Sequence, residues 1–277
     1  MLAPALAPAL GLAGLLLAAQ VVLAQADLPM PDLVVRQDVL AHQWVVRDED
    51  LPADACSVLE GGISPGVHKI VRFTVMTPNL GTADINLGDP NAHIAANDGL
   101  YEFAPCHQHY HFRHYALYQL IDPATGYVWK AAKRGFCMLD TDPDPGYYGQ
   151  PPKSPKFRDC GAVGVPGNQG ISRGWADTYR FFLGGQYFVL DGADGQPVVP
   201  AGQYLLRITV NPPYQPQAGE PCRHADPRRP GWCHQLPESN YDNNVGEVLI
   251  TIPERPGKRG VGPLSGEPPR SKEAVEH

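Results

Sequence analysis

Apolar residues in this chain fall in short runs, not in helical stripes. Ile70 to Met76 alternates, with Val71, Phe73 and Val75 on one side, the period-two pattern of a half-buried strand. Leu33 to Val35 and Trp44 to Val46 are shorter runs of the same character. Tyr115 to Ile121, Arg180 to Leu183, Tyr187 to Leu190, Tyr204 to Val210 and Val245 to Ile252 follow as further strand candidates. Turn pairs stand between most of them: Asp122-Pro123, Gly184-Gly185, Asp194-Gly195 and Asn211-Pro212. No segment holds a 3.6-residue period for long, and no internal repeat is visible. The pattern predicts an all-β fold, a single β-sandwich-like domain with long loops and few short helices. Residues 140–170, rich in Asp, Pro and Gly, form a loop too long for a simple connection, so that stretch is either functional or mobile.

The ends read differently. Residues 1–24 carry no charged side chain, and Leu10 to Ala24 is rich in Leu, Ala and Val. Small residues follow, so that cleavage after Ala24 or Ala26 would make 1–26 a secretory signal peptide. An uncleaved anchor is the alternative, and the shortness of the run, with Pro4 and Pro8 before it, counts against that. The usual Lys or Arg ahead of such a run is missing. No later apolar stretch is long enough to cross a bilayer, so no stable membrane span is expected. The domain is expected over 27–252. From Pro253 to His277 the chain turns Pro-, Gly- and charge-rich and is expected to be a disordered tail.

Composition narrows the function. The 277 residues are 43% hydrophobic and 18% charged, enough for a real core, while 29 Gly and 30 Pro argue against a helical bundle. A net charge of −7 offers no basic field for phosphate backbones, so nucleic acid is not an expected partner. Six cysteines in an exported chain suggest disulfides, with Cys222 and Cys233 placed for a local staple around a Pro- and Arg-rich stretch. A secreted or extracytoplasmic protein fits both signals.

Four of the ten histidines fall between Cys106 and His114. On a strand, His107, His109 and His111 would share one face, with Gln108, Tyr110 and Phe112 on the other. An ideal strand spreads three such residues over roughly 13 Å, whereas each imidazole nitrogen must come within about 2 Å of a metal. Convergence on one ion therefore needs a bend, a bulge or tilted rings. Three neutral imidazoles with an open position suit copper or a catalytic zinc, and copper has the higher intrinsic affinity. His114 breaks the parity and is not an expected ligand. A polar strand face with exposed histidines is the plain alternative.

With that motif, Cys106-His107-Gln108-His109-Tyr110-His111, the chain resembles the lysyl oxidase family. Four more stretches match in order: Lys133-Arg134-Gly135-Phe136-Cys137; Gly170-Ile171-Ser172 with Asp177-Thr178-Tyr179; Pro200 to Tyr204 through Val210-Asn211-Pro212; and Glu238 to Asn244. The resemblance implies a copper site on His107, His109 and His111. It also implies a lysine tyrosylquinone cofactor made from Lys133 and Tyr179. Neither residue would be chosen from composition, since Lys133 reads as a solvated basic turn and Tyr179 as a core aromatic. The implied reaction is oxidative deamination of primary amines, peptidyl lysine among them, to aldehydes, with molecular oxygen reduced to hydrogen peroxide and ammonia released. Copper brings the one-electron and oxygen chemistry that side chains lack, and a quinone carbonyl is an electrophile for an amine. Asp177, two residues before Tyr179, is a candidate base if the segment is a strand, and otherwise a surface or turn carboxylate.

The resemblance also implies a calcium site on Asp32, the Leu33 carbonyl, Glu238, Asn240, Asn243 and Asn244, all hard oxygen donors. Asn240 stands where animal members carry Asp, and an Asx-rich turn explains the same letters without an ion. Cys106 with Cys160 is similar to a family bridge, which leaves Cys137 to pair with Cys56 or stay free, since the further cysteine of animal members is absent here. Pro213 to Pro237 looks like an insertion. Two other functions fit the same histidines: a non-catalytic extracytoplasmic copper-binding module, and a zinc- or iron-dependent β-fold enzyme.

Overall fold

Alternation along the chain builds two main antiparallel sheets. In the computed structural model, which describes residues 28–60, 62–133 and 135–268, β1 (Trp44–Leu51) pairs with β2 (Gly66–Phe73) from Trp44↔Phe73 to Leu51↔Gly66. On the other edge of β2 lies β12 (Tyr187–Val189). The second sheet runs in the order β16 (Val245–Ile252), β13 (Gly202–Val210), β7 (Ala116–Ile121), β8 (Val128–Lys130). Along β13, Tyr204, Leu206, Ile208 and Val210 are buried at every second position, as period two requires. One core takes Val46, Val71, Phe73 and Phe188 from the first sheet and Tyr118, Leu120, Leu206, Ile208 and Ile250 from the second. The rings of Phe73 and Tyr118 meet edge-on at 5.3 Å across it. The all-β expectation holds, with three short helices among the described residues, α1 (Gln37–His42), α2 (Cys56–Leu59) and α3 (Pro90–Ala96).

Smaller sheets carry the chemistry-bearing residues. They are β3 (Val75–Pro78) with β11 (Trp175–Tyr179) and β9 (Asp142–Pro143), β4 (Ile85–Gly88) with β10 (Gln169–Ile171), and the hairpin of β5 (Tyr101–Ala104) and β6 (His109–Phe112). The 213–237 stretch forms a two-residue ladder of β14 (His224–Ala225) and β15 (Cys233–His234), stapled as expected by Cys222–Cys233.

Several expectations are corrected. The Ile70–Met76 run is divided at Thr74, whose N–H donates to the Gln43 carbonyl and whose hydroxyl accepts the Phe181 N–H. Arg180 to Leu183 is a turn, and the strand lies just before it, in the fully buried β11. Leu33 to Val35 contributes only the isolated bridge Leu33↔Asn79. Within 140–170 the chain is organised by Asp140, whose buried carboxylate accepts the N–H groups of Lys156, Phe157 and Ser172 and the Ser172 hydroxyl. Residues 253–268 are not the free tail that their composition suggests. They run back along β1, where Val46 and Val261 exchange both backbone hydrogen bonds and the Gly257 carbonyl takes the Asp48 N–H. The 1–26 segment and residues 269–277 lie outside the described residues. Among the described residues, no helix is long and apolar enough to cross a membrane.

An ion-pair cluster sits inside the β1–β2 sheet. Arg47 and Arg72 are fully buried and flank Glu49, which is 3% exposed. Arg72 donates to Glu49 through Nε and Nη2, and to the carbonyls of Phe181 and Leu183 through Nη1. Arg47 donates to Glu49 through Nε and to the Glu267 carbonyl.

Candidate active site

The histidines converge because the hairpin turns between them. His109 and His111 lie on β6, but His107 belongs to the turn over residues 105–108, not to a strand. Gln108 takes the left-handed conformation, at φ 59°, and its N–H closes the turn on the Ala104 carbonyl at 2.8 Å. This is the bend that an ideal strand lacks. The ring centroids stand 5.7 Å apart for His107–His109, 5.2 Å for His107–His111 and 5.0 Å for His109–His111. Three imidazoles about one ion, with metal–nitrogen bonds of about 2 Å, hold their centroids roughly 4.5–5.2 Å apart. As they stand, no three His, Cys, Asp or Glu donors among the described residues are closed onto one point. The residue types are those that bind copper or zinc. His114 stands apart, stacked on Tyr214 at 4.4 Å.

Backbone and disulfides hold this hairpin from two sides. Cys106 is bonded to Cys56 of α2, and Cys137 to Cys160. The expected Cys106–Cys160 bridge is thus replaced. The turn carries Cys106 toward α2, whereas Gly161 lies against Tyr110, accepting its N–H, and keeps Cys160 beside Cys137. Through the same tether α2 brings Glu60 to 3.8 Å from the His107 Nε2. On the other side, Phe112 donates to the Phe136 carbonyl at 2.7 Å, which lays the 135–137 segment along β6. Gln169 reinforces it by donating to the Tyr110 and Cys160 carbonyls and accepting the Met138 N–H.

Lys133 and Tyr179 meet beside the histidines. The Lys133 Nζ lies 4.8 Å from the centre of the Tyr179 ring and 5.5 Å from that of Phe136. Neither residue is exposed beyond 9%, so Lys133 is not the solvated turn residue of the plain reading. The Tyr179 hydroxyl donates to the Cys137 carbonyl and accepts the Cys137 N–H. A cleft of about 250 Å³ is lined by Ser57, Glu60, Glu102, His107, His111, Lys133 and Gly135. Lys133 therefore shares a wall with two of the three histidines.

Asp177 is fully buried on β11, opposite Thr77 on β3. Burial pushes its carboxyl well above the usual range, against the opposing pull of the Tyr115 hydroxyl and the Lys133 charge. Neither carboxyl oxygen has a partner of normal hydrogen-bond geometry. The surface or turn carboxylate is thereby ruled out as a description of this residue.

A family model described as Lysyl oxidase matches residues 31–219, which include all of these groups. The chain belongs to the lysyl oxidase family. Rat protein-lysine 6-oxidase is 32% identical over 228 residues, covering 78% of this chain and 45% of the relative. The human protein of that name is 31% identical, covering 78% of this chain and 44% of the relative. Human lysyl oxidase homolog 1 is 33% identical over 197 residues, covering 67% of this chain and 30% of the relative. The chain thus spans less than half the length of these curated relatives.

A second polar cluster in this lysyl oxidase domain lies away from the histidines. Glu238 is buried and accepts the Leu33 N–H and the side-chain amides of Asn211 and Asn244. Asn243 donates to Asp32. Burial raises the Glu238 carboxyl to about 7, despite those hydrogen bonds, and also raises Asp32. The side-chain oxygens of Asn243 and Asn244 are buried without hydrogen-bond partners. Four expected donors are therefore brought together. Leu33 adjoins them through its N–H to Glu238, while Asn240 is exposed, its Oδ1 accepting the Asp242 N–H in an Asx turn. Sequence reading passed over Glu60, for which no local pattern signals a role, and gave Asn211 and Gly135 no part in either site.

Proposed function

We propose that this chain is a secreted, copper-dependent amine oxidase that makes its quinone cofactor from Lys133 and Tyr179. The observation that carries the reading is the Lys133 amine standing over the Tyr179 ring in a cleft shared with His107 and His111. The reaction is oxidative deamination of primary amines, peptidyl lysine included, to aldehydes, with oxygen reduced to hydrogen peroxide and ammonia released.

His107, His109 and His111 would hold copper, and Gly135 and the Cys56–Cys106 bond keep His111 and His107 in place. Copper, when bound, supplies one-electron and oxygen chemistry, and the quinone an electrophilic carbonyl for the amine. Lys133 is positioned for its amine nitrogen to add to the Tyr179 ring once that ring has been oxidised with molecular oxygen as electron acceptor, a nucleophile already beside its target. Backbone hydrogen bonds from Cys137 fix the ring's orientation. Burial excludes water from both partners. Asp177, in a setting that stabilises the protonated acid, is suited to take a proton from carbon and hold it. Asp32, Glu238, Asn243 and Asn244 would form a calcium site, where the cation supplies the partner that the two amide oxygens lack.

Peptide mass mapping after aerobic copper loading tests the reading. A single cross-linked species containing Lys133 and Tyr179 is the expected result. Separate, unmodified peptides with copper bound would favour a non-catalytic copper-binding module instead.

A further inference from the structure

Lys133 is the wall between two clefts. The smaller is lined by His107 and His111. The larger, of about 590 Å³, is lined by Tyr118, Tyr127, Ala131, Lys133, Phe136 and Asp194, among others. The small cleft falls below the roughly 300–1,000 Å³ of ordinary ligand sites, whereas the large one lies inside that range. Its walls combine apolar and charged groups. Phe136 and Tyr118 form its inner end, and Leu117 and Tyr127 are large apolar residues left 39% and 43% exposed. Phe136 packs edge-on against Tyr179 at 5.2 Å, so this cleft ends on the two groups that cover the tyrosine.

The cleft's charged groups are held in place. Gln196 accepts the Lys130 N–H, donates to the Lys130 carbonyl and donates to an Asp194 oxygen at 2.6 Å, while its own N–H meets the other oxygen of Asp194. This clamp fixes a carboxylate beside an apolar channel. Lys130 is the opposing charge, exposed at the end of β8.

We propose that the larger cleft is the amine-entry groove, that Asp194 attracts the substrate's ammonium there and Lys130 opposes it, and that the smaller cleft serves the metal. The inference rests on the amine-oxidase reading and lays the alkyl stem of the ammonium substrate against Phe136 and Tyr118. Asp194 acts on capture, since Lys133 and Phe136 stand at the reacting end.

Steady-state kinetics with a lysine-containing peptide test it. Asp194→Asn should raise KM about two- to fivefold with kcat unchanged, and Lys130→Glu should lower KM by a similar factor. Ala131→Trp, which fills the groove, should slow labelling of the quinone by phenylhydrazine at least about tenfold by steric exclusion, with copper content unchanged. Labelling untouched by Ala131→Trp but slowed by Glu102→Trp in the smaller cleft would overturn the assignment. If the wild-type chain never forms the cross-link, the oxidase reading fails and the groove is still decided separately. Pentylamine would be titrated into copper-free protein and followed by the fluorescence of Trp129, whose ring meets Tyr127 at 4.5 Å. Weaker binding in Asp194→Asn and tighter binding in Lys130→Glu supports the groove; equal affinities overturn it.

Discussion

Gly135 lies so close to His111 that a β-carbon on it would stand 1.7 Å from the ring's Nδ1. Nothing that short survives, so any side chain at 135 must push the ring away. Gly135→Ala should leave the fold intact at an overpacking cost of about 1–3 kcal/mol. Copper affinity should fall at least about tenfold, because one of three ligands has left its place. Titration of the apo protein with copper against a competing chelator reads this directly. Unchanged affinity would mean that His111 is not a ligand.

The Cys56–Cys106 bond makes a similar claim for His107. It spans 50 residues, so chain entropy assigns it about 4 kcal/mol of stability. Its second effect is local, since Cys106 is the neighbour of His107 in the turn. The double variant Cys56→Ser/Cys106→Ser should lose copper affinity beyond what its lower Tm explains. Removing the Cys222–Cys233 bond should lower Tm and leave copper binding alone. Equal copper loss in both would reduce the first bond to a general staple.

How far the sequence carried this picture depends on whether the signal was local. The alternation in Tyr204–Val210 and Val245–Ile252 gave strands where alternation is enough, and Cys222 with Cys233 is a short-range pair. The histidine parity argument grouped His107, His109 and His111, whose rings do lie together, for a partly wrong reason. It put His107 on a strand, whereas the left-handed Gln108 folds it back, and glutamine carries no turn signal. Cys106 finds Cys56 only because α2 lies under the hairpin, which no spacing encodes. Asp177 carries a surface residue's letter, and only its partners on β3 and the 133–137 segment make it internal. Residues 253–268 have the composition of a free tail, yet β1 offers an edge with unmet backbone groups, and Val261 takes it.

Glu49 holds two buried guanidiniums apart from one another. Glu49→Gln would remove the carboxylate charge that Arg47 and Arg72 share, at a cost of about 3–5 kcal/mol. Burial acts to raise the Glu49 carboxyl, but Arg72 and Arg47 outweigh it and hold the group below its ordinary range. A depressed carboxyl contributes stability that is present above its unfolded pKa and is lost as pH falls through the folded value. Urea unfolding between pH 7 and pH 3 should therefore show an acid limb in the wild type that is flatter in Glu49→Gln. Parallel limbs would refute the ion-pair account.

Asp177 predicts the opposite slope. Its folded carboxyl is raised by burial well above the ordinary range, so its contribution is fully present below the unfolded pKa of about 3.9 and is lost as pH rises toward the folded value. At neutral pH the folded chain therefore carries a penalty that Asp177→Asn, of nearly the same shape, removes. The copper-free variant should melt higher than the wild type near pH 7, with the gap closing toward pH 4. If Asp177 is the base, the copper-loaded variant should form the Lys133–Tyr179 cross-link yet turn over amine at least about a hundredfold more slowly, the usual scale for a lost general base. A variant that is stabilised and still fully active would leave Asp177 a buried acid with no part in catalysis. One that is destabilised at pH 7 would mean that the Lys133 charge, and not burial, governs the site.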